Sequence, residues 1–555
     1  MFDFAEHEDR EATQEIWLPT KFTPMFRPPD ICQGVRLFRH RTHILFDHKE
    51  KRLGLGVEGQ RSRRSAGDFS VIASLPQLYP EWLGDRTFQE THRVRFPYIC
   101  GEMANGIASP EMVIAAAKAG LLAFYGAAGL SLEKVAAAIQ MIRRSLTEDY
   151  VWGANLIHSP MEPNLEQSLV ELYLQNRVTR VSASAFMQLS PAVVQYACTG
   201  LSIKDGRPQR KHYLFAKISR PELARHFMSP PPQKILEDLL KDGCITASEA
   251  QIAKSLPLSE DITVEADSAG HTDNQVLPAI LSTVLELRNR LQSEYKYLLP
   301  IRVGAAGGIG SPNGAAAAFA MGAAYILTGS INQACVESKL HPSARKMLES
   351  MTFGDTMMCA AADMFEQGVK LQVLKRGTLY AVRANWLFEL YKSHDSIQSL
   401  SPQTLQRLET EIFRMPLEKV WAETQAFWEK RDPRQLIKAT QEPKHLMALL
   451  FRYYLGLSSR WAIDGVKERQ FDYQIWCGPA QAAFNHWTRD SFLAKVENRN
   501  VALVALNILE GAAQILRAGQ FRSFGVPIPN EAFEYRAQRL ITESDTSKEH
   551  EPSYA

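Results

Sequence analysis

The sequence predicts an α/β protein: a barrel of eight parallel strands wrapped by helices, with a small β-rich N-terminal region and a helical C-terminal domain. Three observations lead there. From about residue 96, short apolar runs recur at 98–100, 122–125, 151–157, 178–182, 213–218, 262–266, 301–304 and 325–327, each followed by a helix-compatible stretch. Eight such units are the number that closes a TIM (β/α)8 barrel. The runs do not alternate polar with apolar, as suits a sheet buried on both faces. Between 264 and 330, three consecutive strand ends (VEADSAGHTDN, VGAAGGIGSP and ILTGS) pass straight into glycine- or hydroxyl-rich turns. Strand ends that converge at the C-terminal mouth of such a barrel build one site.

Taken in order, residues 1–85 alternate short apolar runs (RLFRH, HILFD, RLGLGV, DFSVIASL) with charged turns, the pattern of short strands. The barrel spans 86–345. Its helix starts are marked by Ser109-Pro110 and Ser311-Pro312, a cap followed by proline at the first helical position, and by Ser131 ahead of LEKVAAAIQMIRR. An insertion at about 228–258 carries two short helical patterns. Beyond about 343 the strand signal fades. Segments such as RANWLFELYKSH, EKVWAETQAFWEKR and VALVALNILEGAAQILRAG place apolar residues at helical spacing, so 346–530 is expected to be all helical. Residues 531–555 are polar and expected to form a disordered tail.

Composition narrows the function. The 555 residues suggest two to three domains. The formal charge of +2, from 63 basic and 61 acidic side chains, gives no support for a nucleic-acid partner. None of the seven cysteines has CxxC spacing, so reduced thiols in the cytoplasm are expected rather than a disulfide framework or a metal site. No apolar run approaches the roughly 18–20 residues of a spanning helix. The acidic N-terminus lacks the apolar core of a secretory signal, so no membrane association is expected.

The chemistry concentrates in the turns. The 304–310 turn, GAAGGIG, has no bulk at its tip, and the next unit ends with the N–H groups of Gly329 and Ser330. Adjacent turns after the last two barrel strands are where many such barrels hold a phosphate; tight packing is the plainer explanation of the small residues. No Lys-Ser/Thr follows, so the turn is not a P-loop, and it comes too late in the series to open a Rossmann unit. His271 follows the sixth strand, and Ala269-Gly270 leave room for a flat ring beside it. An imidazole there can polarise a carbonyl or relay a proton near pH 7, although a lone histidine is more often structural. Asp267 and Asp273 either set its protonation or cap the next helix. Met103-Ala104-Asn105-Gly106 is a barrel turn or a cradle along one edge of a cofactor ring, and the Asn155 amide suits a heteroaromatic edge. Lys217, ending the fifth strand, either sets a positive charge beside an anionic reduced ring or is a surface lysine. Lys370, Lys375, Arg376 and Arg383 form a solvated basic face or a dock for an acidic carrier domain or a nucleotide phosphate. The aromatic-rich stretch 471–487 is expected to be core or interface.

Several long motifs in order carry a resemblance. LPQLYPEWLGD, FPYICGEMANGIAS, VEADSAGHTDN, GAAGGIGSP, LTGSINQ, AADMFEQGVKLQVLKRGTLYAVRAN, FRYYLGLSSRWA and DYQIWCGPAQAAFN together resemble the PfaD-type proteins of polyunsaturated fatty acid and trans-acyltransferase polyketide synthesis. These are stand-alone FMN-dependent enoyl reductases related to nitronate monooxygenases; the first 70 residues match poorly. The resemblance implies that Gly307, Gly308, Gly329 and Ser330 hold the FMN phosphate. It implies that Met103, Ala104, Asn105, Asn155 and Gly270 line the flavin, and that His271 is the active-site histidine. The reaction it implies is reduction of an enoyl thioester on an acyl carrier protein by NADPH or NADH through FMN. The rivals are a nitronate monooxygenase-like oxidase and a flavin-free scaffold in a synthase complex. Self-association into a homo-oligomer is compatible with the chain. Where Ala269 stands, the family usually has glycine, and a methyl there threatens to crowd the ring.

Overall fold

The fold is taken from a computed structural model, which describes residues 15–62, 68–159 and 162–540. Eight parallel strands, Tyr98–Cys100, Leu122–Tyr125, Gly153–Ile157, Arg180–Ser184, Tyr213–Ile218, Asp261–Glu265, Arg302–Ala306 and Ile326–Thr328, close into a barrel in sequence order. All eight fall within two or three residues of the predicted runs. Their apolar side chains are buried on both faces, as at Leu122, Phe124, Ile262, Val264, Val303 and Ile326. Ser109 and Ser311 cap their helices as expected, accepting from Met112 N–H at 3.0 Å and Gly314 N–H at 3.3 Å. Ser131 marks a helix start at Leu132 but its hydroxyl makes no cap bond. The predicted insertion appears as helices Gln233–Lys241 and Ala247–Ala253.

The N-terminal end of the barrel is plugged. Helix Arg86–His92 sits beneath it, stacking Phe88 on Tyr325 (ring centroids 4.6 Å apart) and His92 against Phe215. Ahead of that helix lies an antiparallel five-stranded sheet with the helix Pro28–Arg36 on it.

Three expectations need correction. The region after 346 is not all helical: strands Thr356–Ala360 and Lys370–Leu374 form a hairpin, and the second pairs with Gly270–His271 of the barrel's sixth loop. Five-residue strands carry too little periodicity to stand out among helices. Nor is it one body. Residues from 359 to 455 share a core of their own, whereas Tyr473, Ile475, Phe484, Val504 and Ile508 are buried in the barrel's core. Finally, the expected tail from 531 starts too early: Ala532 is buried, and Tyr535 accepts a hydrogen bond from the Trp487 indole at its carbonyl. Residues 541–555 lie outside the described residues.

The helix Val501–Ser523 is the one described helix long and apolar enough to span a bilayer, against the expectation that no such run exists. It packs on Pro312–Ala320 of the barrel and on the N-terminal region, with 72% of its most apolar window buried. It is a core helix, and its apolar length is interrupted by Asn507, Gln514 and Arg517, all buried and hydrogen-bonded.

Candidate active site

The loops after the first, sixth, seventh and eighth strands meet at the C-terminal mouth. Close backbone approach explains their small residues. A Cβ on Gly126 would lie 1.8 Å from Met103 O, and one on Gly307 2.7 Å from the Ala266 backbone. A Cβ on Gly310 would lie 1.8 Å from Ala480 O, so the start of helix Pro479–Thr488 covers the seventh loop. At Gly308 and Gly329 the reverse holds: a Cβ would meet nothing within 4 Å, so both face open space. Gly307 and Gly308 adopt positive φ (83° and 70°), which glycine alone tolerates freely. Among the described residues, the N–H groups of Gly307, Gly308, Gly329 and Ser330 reach no backbone carbonyl. Both turns thus leave backbone donors without a carbonyl partner, and open space lies beside Gly308 and Gly329.

Beside it, Met103 is buried and Ala104 half-buried. Asn105, at φ 57°, ties the first loop to the second through its N–H to Ala128 O (2.8 Å). Its side chain is turned away, donating to Ser459 Oγ at 3.0 Å on the long helix Pro443–Asp464. Asn155 is inside the third strand, not at its end. It is buried, and its amide nitrogen is taken by Ser184 Oγ at 2.9 Å.

Lys217 is not a surface lysine. It is buried at the mouth between Glu102 and Glu265, each 3.1 Å from Nζ. Burial alone would lower its pKa; the two carboxylates outweigh that and hold it above the ordinary ammonium value. The lysine is held charged, with two carboxylates beside it. Sequence could not show this, because its partners lie in the first loop and on the sixth strand, 115 and 48 positions away along the chain.

His271 is in a short strand bonded to the hairpin, opposite Leu371, with Gly270 opposite Gln372. Its Nε2 lies 3.1 Å from Asp363 Oδ1. The side chain keeps 29% of its surface accessible. Burial works to lower its pKa, but the Asp363 charge and hydrogen bond prevail and raise it, with Glu265 adding and Lys217 opposing. Neither aspartate proposed from sequence touches it. Asp267 instead accepts from Asn274 and Gln372, and Asp273 pairs with Arg220 and Ser219. Ala269 is not among the positive-φ residues, so its methyl imposes no backbone strain.

Sequence reasoning missed Glu102, Glu265, Asp363 and Trp476. Trp476, expected as core or interface, stands with its ring 4.0 Å from where a Gly270 Cβ would be. Near it, the Ser268 hydroxyl and Gln333 Oε1 are buried without a hydrogen-bond partner. The basic cluster is dispersed: Arg383 pairs with buried Asp472, and Arg376 bonds Ser350 O and faces Asp355, leaving Lys370 and Lys375 exposed.

A closed parallel barrel with two glycine-rich turns and a carboxylate-paired histidine at its mouth defines the class; comparison fixes the family. The family described as nitronate monooxygenase matches residues 86–384, and the inserted helical domain of [acyl-carrier-protein] S-malonyltransferase matches 394–473. The chain belongs to the nitronate monooxygenase family, in the PfaD-type branch that the motifs resemble. It is 46% identical over 449 residues to a polypeptide of the polyunsaturated fatty acid synthase of Thraustochytrium sp., covering 80% of this chain and 30% of that protein. It is 41% identical over 437 residues to the polyketide biosynthesis protein PksE of Bacillus subtilis, covering 79% of this chain and 57% of that one. Among solved structures, the enoyl reductase domain of MlnA, from the macrolactin biosynthesis cluster of Bacillus amyloliquefaciens, superposes with a TM-score of 0.76 at 34% identity. That match covers 80% of this chain and 99% of the domain. The chain thus spans about a third to just over half of these two curated relatives.

Proposed function

We propose that the protein is an FMN-dependent enoyl reductase that reduces the α,β double bond of an enoyl thioester carried on an acyl carrier protein, with NADPH or NADH as reductant. One observation carries the reading: four free N–H donors and a carboxylate-paired histidine share the barrel mouth. The relatives support the substrate class: one belongs to a fatty acid synthase, one to polyketide biosynthesis, and one is an enoyl reductase domain.

The donors of Gly307, Gly308, Gly329 and Ser330 would hold the phosphate. Met103, Ala104 and Gly270 would line the ring, and the orphaned Ser268 hydroxyl and Gln333 carbonyl, both buried and without partners, are available to it. Bound FMN would supply hydride transfer; the protein's part is binding, orientation and electrostatics. His271 would bring its imidazole to the thioester, polarising the carbonyl or protonating the α-carbon. Asn105 and Lys217 would act at one remove: one tethers the loop to the helical module, the other fixes the Glu102 and Glu265 carboxylates. The module would cover the mouth and receive the carrier.

The test is the absorbance spectrum of the purified protein, then anaerobic NADPH oxidation with and without a crotonyl thioester. A flavin band near 450 nm, with thioester-dependent turnover, is expected. Oxygen-dependent turnover of a nitroalkane without nicotinamide would favour the monooxygenase chemistry of the family's name, and a colourless protein that FMN cannot reconstitute would leave a scaffold.

A further inference from the structure

We propose that Asp363 is a positioning residue that holds His271 through Nε2 with its Nδ1 facing the substrate, so that the proton reaching the α-carbon comes from His271. This rests on the enoyl reductase reading. Nε2 is committed to Asp363 at 3.1 Å. Nδ1 has no partner among the described residues, and the side chain is partly accessible, so the free nitrogen opens on the mouth. An imidazole whose far nitrogen donates to a carboxylate keeps one tautomer and a raised basicity. Asp363 is supplied by the loop between the two hairpin strands of the helical module. The same hairpin bonds Gly270–His271 as an edge strand. Two independent contacts, one backbone and one side chain, thus set the ring from outside the barrel.

The charged groups facing the pair are few. Glu265 and Lys217 act on His271 from the sixth and fifth strands, with Glu102 on the far side of Lys217. Arg452 acts on Asp363 from the long helix, where Glu366 partly engages it at 3.3 Å. Glu265 and Lys217 oppose each other, which leaves Asp363 in control. In the step itself, bound reduced flavin would supply a hydride to the β-carbon, leaving the π pair on the α-carbon. That carbon takes the Nδ1 proton, and the neutral imidazole regains one from water. The reduced nicotinamide supplies both electrons.

The experiment follows the pH dependence of diethyl pyrocarbonate modification of His271 in the full chain, read by peptide mass spectrometry with and without FMN. Only neutral imidazole reacts. The wild-type midpoint is expected above the ordinary histidine value. In Asp363→Asn it should fall, so that modification at pH 7 is several-fold faster, and Asp363→Glu should restore most of it. The alkaline limb of turnover should move with it. A role in folding alone would change thermal stability without moving these midpoints. A wild-type midpoint at or below the ordinary value, or one unchanged in Asp363→Asn, would overturn the assignment. Because modification needs no turnover, absence of enoyl reduction would remove the function and leave this test of the pair standing.

Discussion

The two ends of the barrel carry the same pair of side chains put to opposite uses. At the plugged end His92 Nε2 lies 3.0 Å from Asp261; at the mouth His271 Nε2 lies 3.1 Å from Asp363. The partners around them differ. Asp261 is clamped by both arms of Arg302, at 2.7 and 2.8 Å, and every member is fully buried. Its charge is already engaged by the guanidinium, so burial dominates and holds the His92 pKa below its usual value. Asp363 has no such clamp and is half exposed, so its charge acts on His271 and raises it. A histidine beside a carboxylate is thus neutral structure or a stored proton according to what else the carboxylate binds.

The largest effect should come from the closed end. Asp261→Asn leaves buried Arg302 with only Glu260, 3.9 Å away and already paired with Arg210, which costs about 3–5 kcal/mol and should appear as a sharply lower thermal midpoint; an unchanged midpoint would mean the pair is dispensable. At the mouth, His271→Ala should fold and bind FMN normally yet lose about 10²–10⁴-fold in thioester reduction, measured by NADPH oxidation. Gly329→Leu puts a side chain into the open space between the glycine turns. It should fold but lose FMN, seen as a drop in flavin absorbance per protein; full occupancy would place the phosphate elsewhere.

The pH effect is smaller and opposite in sign at the two ends. His92, held neutral, takes up a proton on unfolding, so stability falls as pH drops below 6.5, by at most about 1.4 kcal/mol per pH unit. His271, held charged, contributes fully below 6.5, and its contribution fades as pH rises through the raised folded value. Urea midpoints between pH 5 and 7 should therefore flatten in His92→Gln and keep their slope in the parent. Smallest of all, Arg220→Ala breaks a surface pair with Asp273 (2.9 Å) and should cost about 0.2–1 kcal/mol; a larger loss would mean the sixth loop depends on that pair.

The barrel, its eight strands and the glycine-rich loops at its mouth were legible in the order of residues alone. Those are local facts: apolar runs of strand length, caps such as Ser109 and Ser311, and glycines where backbone must approach backbone. His271 stood out for the same reason, because an imidazole after a barrel strand is visible in one segment. What His271 and Lys217 are chemically was settled by packing in three dimensions. Their partners, Asp363, Glu265 and Glu102, come from distant parts of the chain, and a side chain's charge state depends on neighbours in space. The same holds for Asn105, whose amide went to Ser459, and for the region after 346. There a short hairpin gave no periodic signal, and contact alone assigned one part to the module and the rest to the barrel.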